Sequence, residues 1–131
     1  MKALTVCQPY ADMIAAGEKI IENRAWPTAY RGPLAIHAGK SRAWLEADDE
    51  RERPEMAFGA VVAVAQLVAC LPLMYPADGP NWPEAYRHLH TDEHANGPWC
   101  WILDEVVRIA PVPYRGAQGL WEIPAALVVK P

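Results

Sequence analysis

With 131 residues, 52% of them hydrophobic and 21% charged, the chain has the size and composition of one globular domain, which excludes wholesale disorder and the collagen-like and coiled-coil classes. Its net charge of −4 is unevenly spread: residues 1–45 carry six bases and three acids, net +3, and residues 46–131 carry six bases and thirteen acids, net −7. A phosphate-bearing partner is therefore expected only at the N-terminal third, the alternative being a solvated face with no ligand.

Lys2 to Val6 is short, apolar and β-branched enough for a strand, and nothing around it resembles the apolar stretch of a secretory signal, so a cytoplasmic protein is expected. Gln8-Pro9 opens a helix that Ala15-Ala16-Gly17 closes, proline near the start and glycine past the end being helix punctuation. Tyr10, Met13 and Ile14 would face the core. From Lys19 to Ala25 the residues alternate in part, as in a half-buried strand. Lys19, Ile21 and Asn23 then share one face and Ile20, Glu22 and Arg24 the other, and a bulge near Ile20-Ile21 could bring Lys19 and Glu22 together.

Trp26-Pro27-Thr28 and Tyr30-Arg31-Gly32-Pro33 are turn chemistry, and Leu34 to Ala38 reads as a third strand. Ser41 is expected to cap a helix over Arg42 to Ala47, and the mixed-charge run Asp48 to Glu55 to form a solvated, mobile loop. Gly59 to Cys70 is the best candidate for a central strand. The apolar run around it falls short of the roughly 20 residues needed to cross a bilayer, so no membrane is expected. Leu71 to Pro98, rich in Pro, Asp, Asn and Gly, reads as a surface excursion around a helix at Glu84 to Leu89, before strands at Trp99 to Ile109 and Gln118 to Ile123 and a short tail. The sum is an α+β chain, one domain over residues 1–131, built as a small mixed β-barrel of about six strands with two or three short helices.

Several patterns carry no chemistry. Cys7, Cys70 and Cys100 are odd in number and far apart, which predicts reduced thiols. His88, His90 and His94 lack a matching carboxylate or cysteine elsewhere, so no metal is expected there. Gly39-Lys40-Ser41 ends like a phosphate-binding loop, but Leu34 stands where its first glycine would be. Pro98-Trp99-Cys100-Trp101 lacks the second cysteine of the zinc deaminases.

The densest polar cluster is Gln8-Pro9-Tyr10-Ala11, Gly17-Glu18-Lys19, Glu22-Asn23-Arg24, Trp26, Tyr30-Arg31-Gly32 and Ile36-His37-Ala38. This series resembles the N-terminal signature of the ASCH (activating signal cointegrator homology) domains of the PUA-like superfamily. Gly59-Ala60-Val61-Val62, Trp101-Ile102-Leu103 and Gly116 to Trp121 extend the likeness over nearly the whole chain. The resemblance implies a PUA-like barrel with a cleft, in a family whose members bind RNA or DNA or hydrolyse modified nucleosides. Some bacterial members are N4-acetylcytidine amidohydrolases with a Lys, a Thr three residues later and a distant Glu. Lys19 falls on that Lys, Glu22 stands in place of the Thr, and Glu84 and Glu93 lie in the segment of the distant Glu without a motif that aligns either.

A lysine and a glutamate in a cleft suit amide cleavage. Burial lowers a lysine's pKa, a neighbouring carboxylate counters that shift, and the pair can pass a proton from attacking water to the leaving amine. The alternative reading of Lys19 and Glu22 is a surface ion pair of small energetic value. Around them Arg24, Arg31, Lys40 and His37 are candidate phosphate or base-edge contacts, and Tyr10, Trp26, Tyr30 and Trp121, with Gln8 of the signature, candidate base contacts. The expected function is a metal-independent amidohydrolase, with no cofactor, that removes the acyl group from N4-acylated cytosine nucleosides. Its catalytic residues would be Lys19 and Glu22, its partners a modified nucleoside or RNA, with no obligate protein partner. The alternatives are a non-catalytic RNA-binding reader or, ranked last, a ribonuclease using Lys19, Tyr30 and His37.

Overall fold

A computed structural model of the chain describes residues 1–47 and 49–128, so Asp48 of the charged run and the last three residues of the tail lie outside the described residues. The described residues form six strands: β1 (Lys2–Val6), β2 (Ile21–Arg24), β3 (Gly32–Ala38), β4 (Ala60–Pro72), β5 (Trp99–Pro113) and β6 (Leu120–Glu122). Two short helices, α1 (Tyr10–Ala15) and α2 (Glu84–Arg87), and three 3-10 turns complete the described elements. The strands follow the order β2-β5-β4-β3-β1-β6 in one sheet. It is mixed: β1 runs parallel to β3 with Leu4 opposite Ile36, and antiparallel to β6, while β2 runs antiparallel to β5. This is the α+β architecture expected from the order of apolar runs and turns.

The chain divides into two compact units, whose boundaries fall after Glu18 and within β3, β4 and β5. The first comprises residues 1–18, 33–65 and 105 onward. Its core joins Ala3, Ala35, Val61, Val64, Ile109, Ile123 and Val128. The second comprises residues 19–32 and 66–104. There Ile21, Ala69, Trp82, Cys100 and Ile102 pack together, and the buried Trp82 indole donates to the Pro72 carbonyl at 2.7 Å.

Helix α1 starts where expected. Proline-9 cannot donate, and the Asp12 N–H, left without an intrahelical partner, is taken by the Gln8 side-chain oxygen at 2.9 Å. Gly17, at φ 77°, then turns the chain out of the helix.

Three expectations are corrected. No helix forms over Arg42 to Ala47, which are turns and irregular backbone. The Ser41 hydroxyl accepts from the Ala43 N–H at 3.2 Å, and Arg51 donates to the Trp44 carbonyl at 3.1 Å, so side chains compete for groups a helix would use. The charged run after it is largely exposed, as expected, and carries ion pairs: Arg42 with Glu52, Arg51 with Asp49, and Arg53 with Asp12 and Glu18. The Arg51 hydrogen bonds hold the Asp49 carboxyl below its ordinary range. The helix expected at Glu84 to Leu89 stops at Arg87 and tightens into a 3-10 turn over His88–Thr91. Finally, β5 runs on to Pro113, past the expected end at Ile109, and the Tyr114 N–H continues the pairing onto the Gly59 carbonyl at 3.1 Å.

Candidate functional site

In the second unit, β2 lies antiparallel on β5 with Glu22 opposite Trp101 and Arg24 opposite Trp99. Strand alternation sends Ile21 and Asn23 to one face, beside Ile102 and Cys100, and Glu22 and Arg24 to the other. Lys19 is not in the strand. It lies two residues ahead of β2, so its side chain reaches Glu22 from the preceding turn, and no bulge is required.

The Glu22 carboxylate bridges two cations: Oε1 is 3.3 Å from Lys19 Nζ and Oε2 is 3.0 Å from Arg24 Nη2. Lys19 Nζ also donates to the Ile21 carbonyl. The Lys19 and Glu22 side chains are only 4% and 11% exposed, which makes this a buried pair rather than the surface ion pair that was the alternative. Burial lowers the Lys19 pKa from its ordinary value, the Arg24 charge acts in the same direction, and the Glu22 carboxylate opposes both. Trp101, fully buried opposite Glu22, donates its indole N–H to the Trp26 carbonyl at 3.3 Å and meets the Trp26 ring edge-on at 4.9 Å. An amine of lowered basicity, a carboxylate and a guanidinium thus lie together beside an aromatic pair. Such a set can move a proton beside a planar, partly apolar substrate.

A family model of the ASCH domain matches residues 4–113. The chain belongs to the ASCH domain family. Crystal structures of the ASCH protein of Zymomonas mobilis share the fold. The unsubstituted protein aligns with a TM-score of 0.55 at 14% identity, over 97% of this chain and 90% of that one. A Tyr-to-Phe variant of it aligns at 0.55 and 16% identity, over 97% and 92%, and a Ser-to-Ala variant at 0.56 and 15%, over 97% and 90%. No curated protein sequence matches.

Within this ASCH domain the remaining candidate residues fall into separate groups. In the second unit Tyr30 and Arg31 shape the turn after Trp26. The Tyr30 N–H donates to Thr28 Oγ1 at 3.1 Å, and Arg31 Nη1 donates to the Thr28 and Tyr30 carbonyls, both at 2.8 Å. Gly32 closes that turn at φ 129°, where a Cβ would sit 3.3 Å from the Tyr30 hydroxyl. Arg31 stays exposed and Trp26 is 36% exposed, so both are open to a ligand. Glu84 opens α2 as an exposed residue, and Glu93 is 84% exposed with its carboxylate 3.5 Å from His94 Nε2.

In the first unit Gln8 is buried and spent on structure, its amide donating to the Ala57 carbonyl at 2.7 Å while its oxygen holds α1. The Tyr10 ring meets Trp44 edge-on at 6.3 Å, with the Arg51 guanidinium 5.8 Å from its centre. The Lys40 stem lies along Gly59, where a Cβ would fall 2.9 Å from Cε. His37 is buried with both ring nitrogens engaged, Nδ1 3.2 Å from Thr5 Oγ1 and Nε2 2.7 Å from the Tyr114 carbonyl. Trp121 joins that group through its own bond to Thr5 Oγ1 and stacks on Tyr114.

Two residues of the second unit were named in the sequence without a role at the site. Trp101 walls the Lys19–Glu22 pair, and Asn23 holds a loop from the opposite face: its oxygen accepts from the Asn96 and Gly97 N–H groups and its amide donates to the His94 carbonyl. Each owes its place to strand register, which no local pattern encodes.

Proposed function

We propose that this ASCH domain is an amidohydrolase that cleaves the exocyclic amide of N4-acylated cytosine nucleosides at Lys19 and Glu22. The observation that carries the reading is a buried amine of lowered pKa 3.3 Å from a carboxylate, beside an aromatic pair that suits a planar base. As the free amine, Lys19 takes a proton from water while the water oxygen bonds to the acyl carbon. The C–N4 bond then breaks as that proton passes to N4, releasing the nucleoside and a carboxylic acid. Glu22 stabilises the lysine ammonium between the two transfers, and Arg24 holds Glu22 in place.

The test is incubation with N4-acetylcytidine and chromatography for cytidine. Lys19→Ala is expected to lose about 10²- to 10⁴-fold in turnover, the usual contribution of a positioned acid–base group. Equal turnover in wild type and variant overturns the reading. A second reading, an RNA-binding module without chemistry, is favoured by the exposure of Trp26 and Arg31 on one turn. It predicts no cytidine, together with binding to uncut RNA that weakens steeply with salt.

A further inference from the structure

At the end of the strand order, β2 has β5 as its one strand neighbour among the described residues, and it is four residues long. Ladder hydrogen bonds repeat along a strand, so by themselves they fix the register of so short an element poorly. A slip of one residue would carry Glu22 and Arg24 to the face of Ile102 and Cys100, and a slip of two would take Glu22 off Trp101. The Lys19 amine would lose its place as well, because the Ile21 carbonyl and the Glu22 carboxylate that hold it belong to β2.

One side chain of β2 is matched to a single register. Asn23 lies opposite Cys100, whose thiol donates to its Oδ1 at 3.5 Å. The same oxygen accepts from the Asn96 and Gly97 N–H groups at 2.9 and 2.8 Å, and Nδ2 donates to the His94 carbonyl at 2.7 Å. The loop that receives these bonds is fixed in turn. Gly97 stands at φ 68°, where a Cβ would fall 2.6 Å from the Leu73 carbonyl oxygen, and the Leu73 N–H donates to the Pro98 carbonyl at 2.8 Å. A slip of β2 in either direction therefore breaks every bond of Asn23 at once. Resting on the assignment of Lys19 and Glu22 above, we propose that Asn23 is a positioning residue for amide cleavage: by tying β2 to residues 94–97 it sets the register that holds Lys19 beside Glu22.

Asn23 carries no charge, and neither Asn23→Leu nor the milder Asn23→Ser brings one, so a change of Lys19 basicity in these variants comes through position and solvation. Burial is the largest influence on that amine and lowers its pKa; Arg24 acts with it, and Glu22 and Cys100 oppose it. A loosened β2 admits water, so the Lys19 titration midpoint, read from its Cε resonance by NMR, should rise toward the ordinary lysine value in both variants. Turnover of N4-acetylcytidine should fall by up to about 10²-fold, through kcat and with KM little changed. Gly116→Ala, in the first unit, should leave the midpoint where it is. An unchanged or lowered midpoint in a folded Asn23→Leu or Asn23→Ser protein overturns the proposal. So does an equal rise in Gly116→Ala, which would assign the effect to general loss of stability, and so does failure of both Asn23 variants to fold, which would make the residue a support of the whole unit. The midpoint is read without turnover: a wild type that forms no cytidine removes the amidohydrolase reading, while the titration still decides whether Asn23 holds the pair.

Discussion

Taking an ammonium group out of water costs several kcal/mol unless an opposite charge goes with it, and Lys19 is buried with Glu22 as that charge. The two effects on its proton oppose each other: burial and Arg24 favour the neutral amine, Glu22 the ammonium. Replacing Glu22 with Gln removes the opposing influence, so the Lys19 pKa should fall further and its titration midpoint move to lower pH, as read from the Lys19 Cε resonance by NMR. A midpoint that rises or stays would show that the carboxylate does not act on the amine. At His37 the position of one proton follows from its partner. The Tyr114 carbonyl can only accept, so Nε2 carries a hydrogen, while Nδ1 shares a hydrogen bond with the Thr5 hydroxyl, which in turn accepts from the Trp121 indole. Gly116 fits against this group with no room to spare, a Cβ there lying 2.6 Å from His37 Cε1 and 2.8 Å from Thr5 Oγ1. Gly116→Ala should cost about 1–3 kcal/mol in urea denaturation, the usual range for overpacking.

Strand β2 spans four residues and serves on both faces. Glu22 and Arg24 supply the charged face, and Asn23, on the other, bonds the loop at His94, Asn96 and Gly97 over distances of 2.7–2.9 Å. Asn23→Ala would leave those backbone groups without their partner, at a cost of about 2–4 kcal/mol when several hydrogen bonds are lost together. Amide exchange at Asn96 and Gly97 should quicken more than at β5 positions; uniform loss of protection would mean that Asn23 supports the whole unit rather than the loop. The shared face of Glu22 and Arg24 was legible from alternation alone. The approach of Lys19 was not, because the lysine comes from the turn before the strand and alternation applies only within it. Likewise Arg42 to Ala47 reads as a helix by local propensity, and turns form there because Ser41 and Arg51 take the backbone groups.

At the scale of the whole molecule, the N-terminal ammonium and Lys2 Nζ both meet the Glu122 carboxylate, at 3.3 and 2.8 Å, clasping β1 to β6. The Lys2 hydrogen bond first, and the N-terminus second, hold the Glu122 pKa below its ordinary value. A carboxyl with a depressed folded-state pKa contributes stability above its unfolded pKa and loses it as pH falls toward the folded value. The Tm of Glu122→Gln should therefore lie below wild type at neutral pH and converge with it in acid, and the gap should shrink with salt because the carboxylate is exposed. A gap that persists in acid would assign it to packing. What the sequence alone determined was the inventory: six extended runs, their punctuation by proline and glycine, and the shared face of Glu22 and Arg24 on a short strand. Those features are local, set by residues within a few positions of one another. Only the tertiary structure decided that Lys19 is buried and so altered in basicity, that Trp101 stands opposite Glu22, that His37 and Gln8 spend their polar atoms on the fold, and that Asp12 is shared between Arg53 and Arg108. Each depends on strand register or on side chains tens of residues apart, and burial, which sets the energy of every charge among them, is a property of packing that no single segment contains.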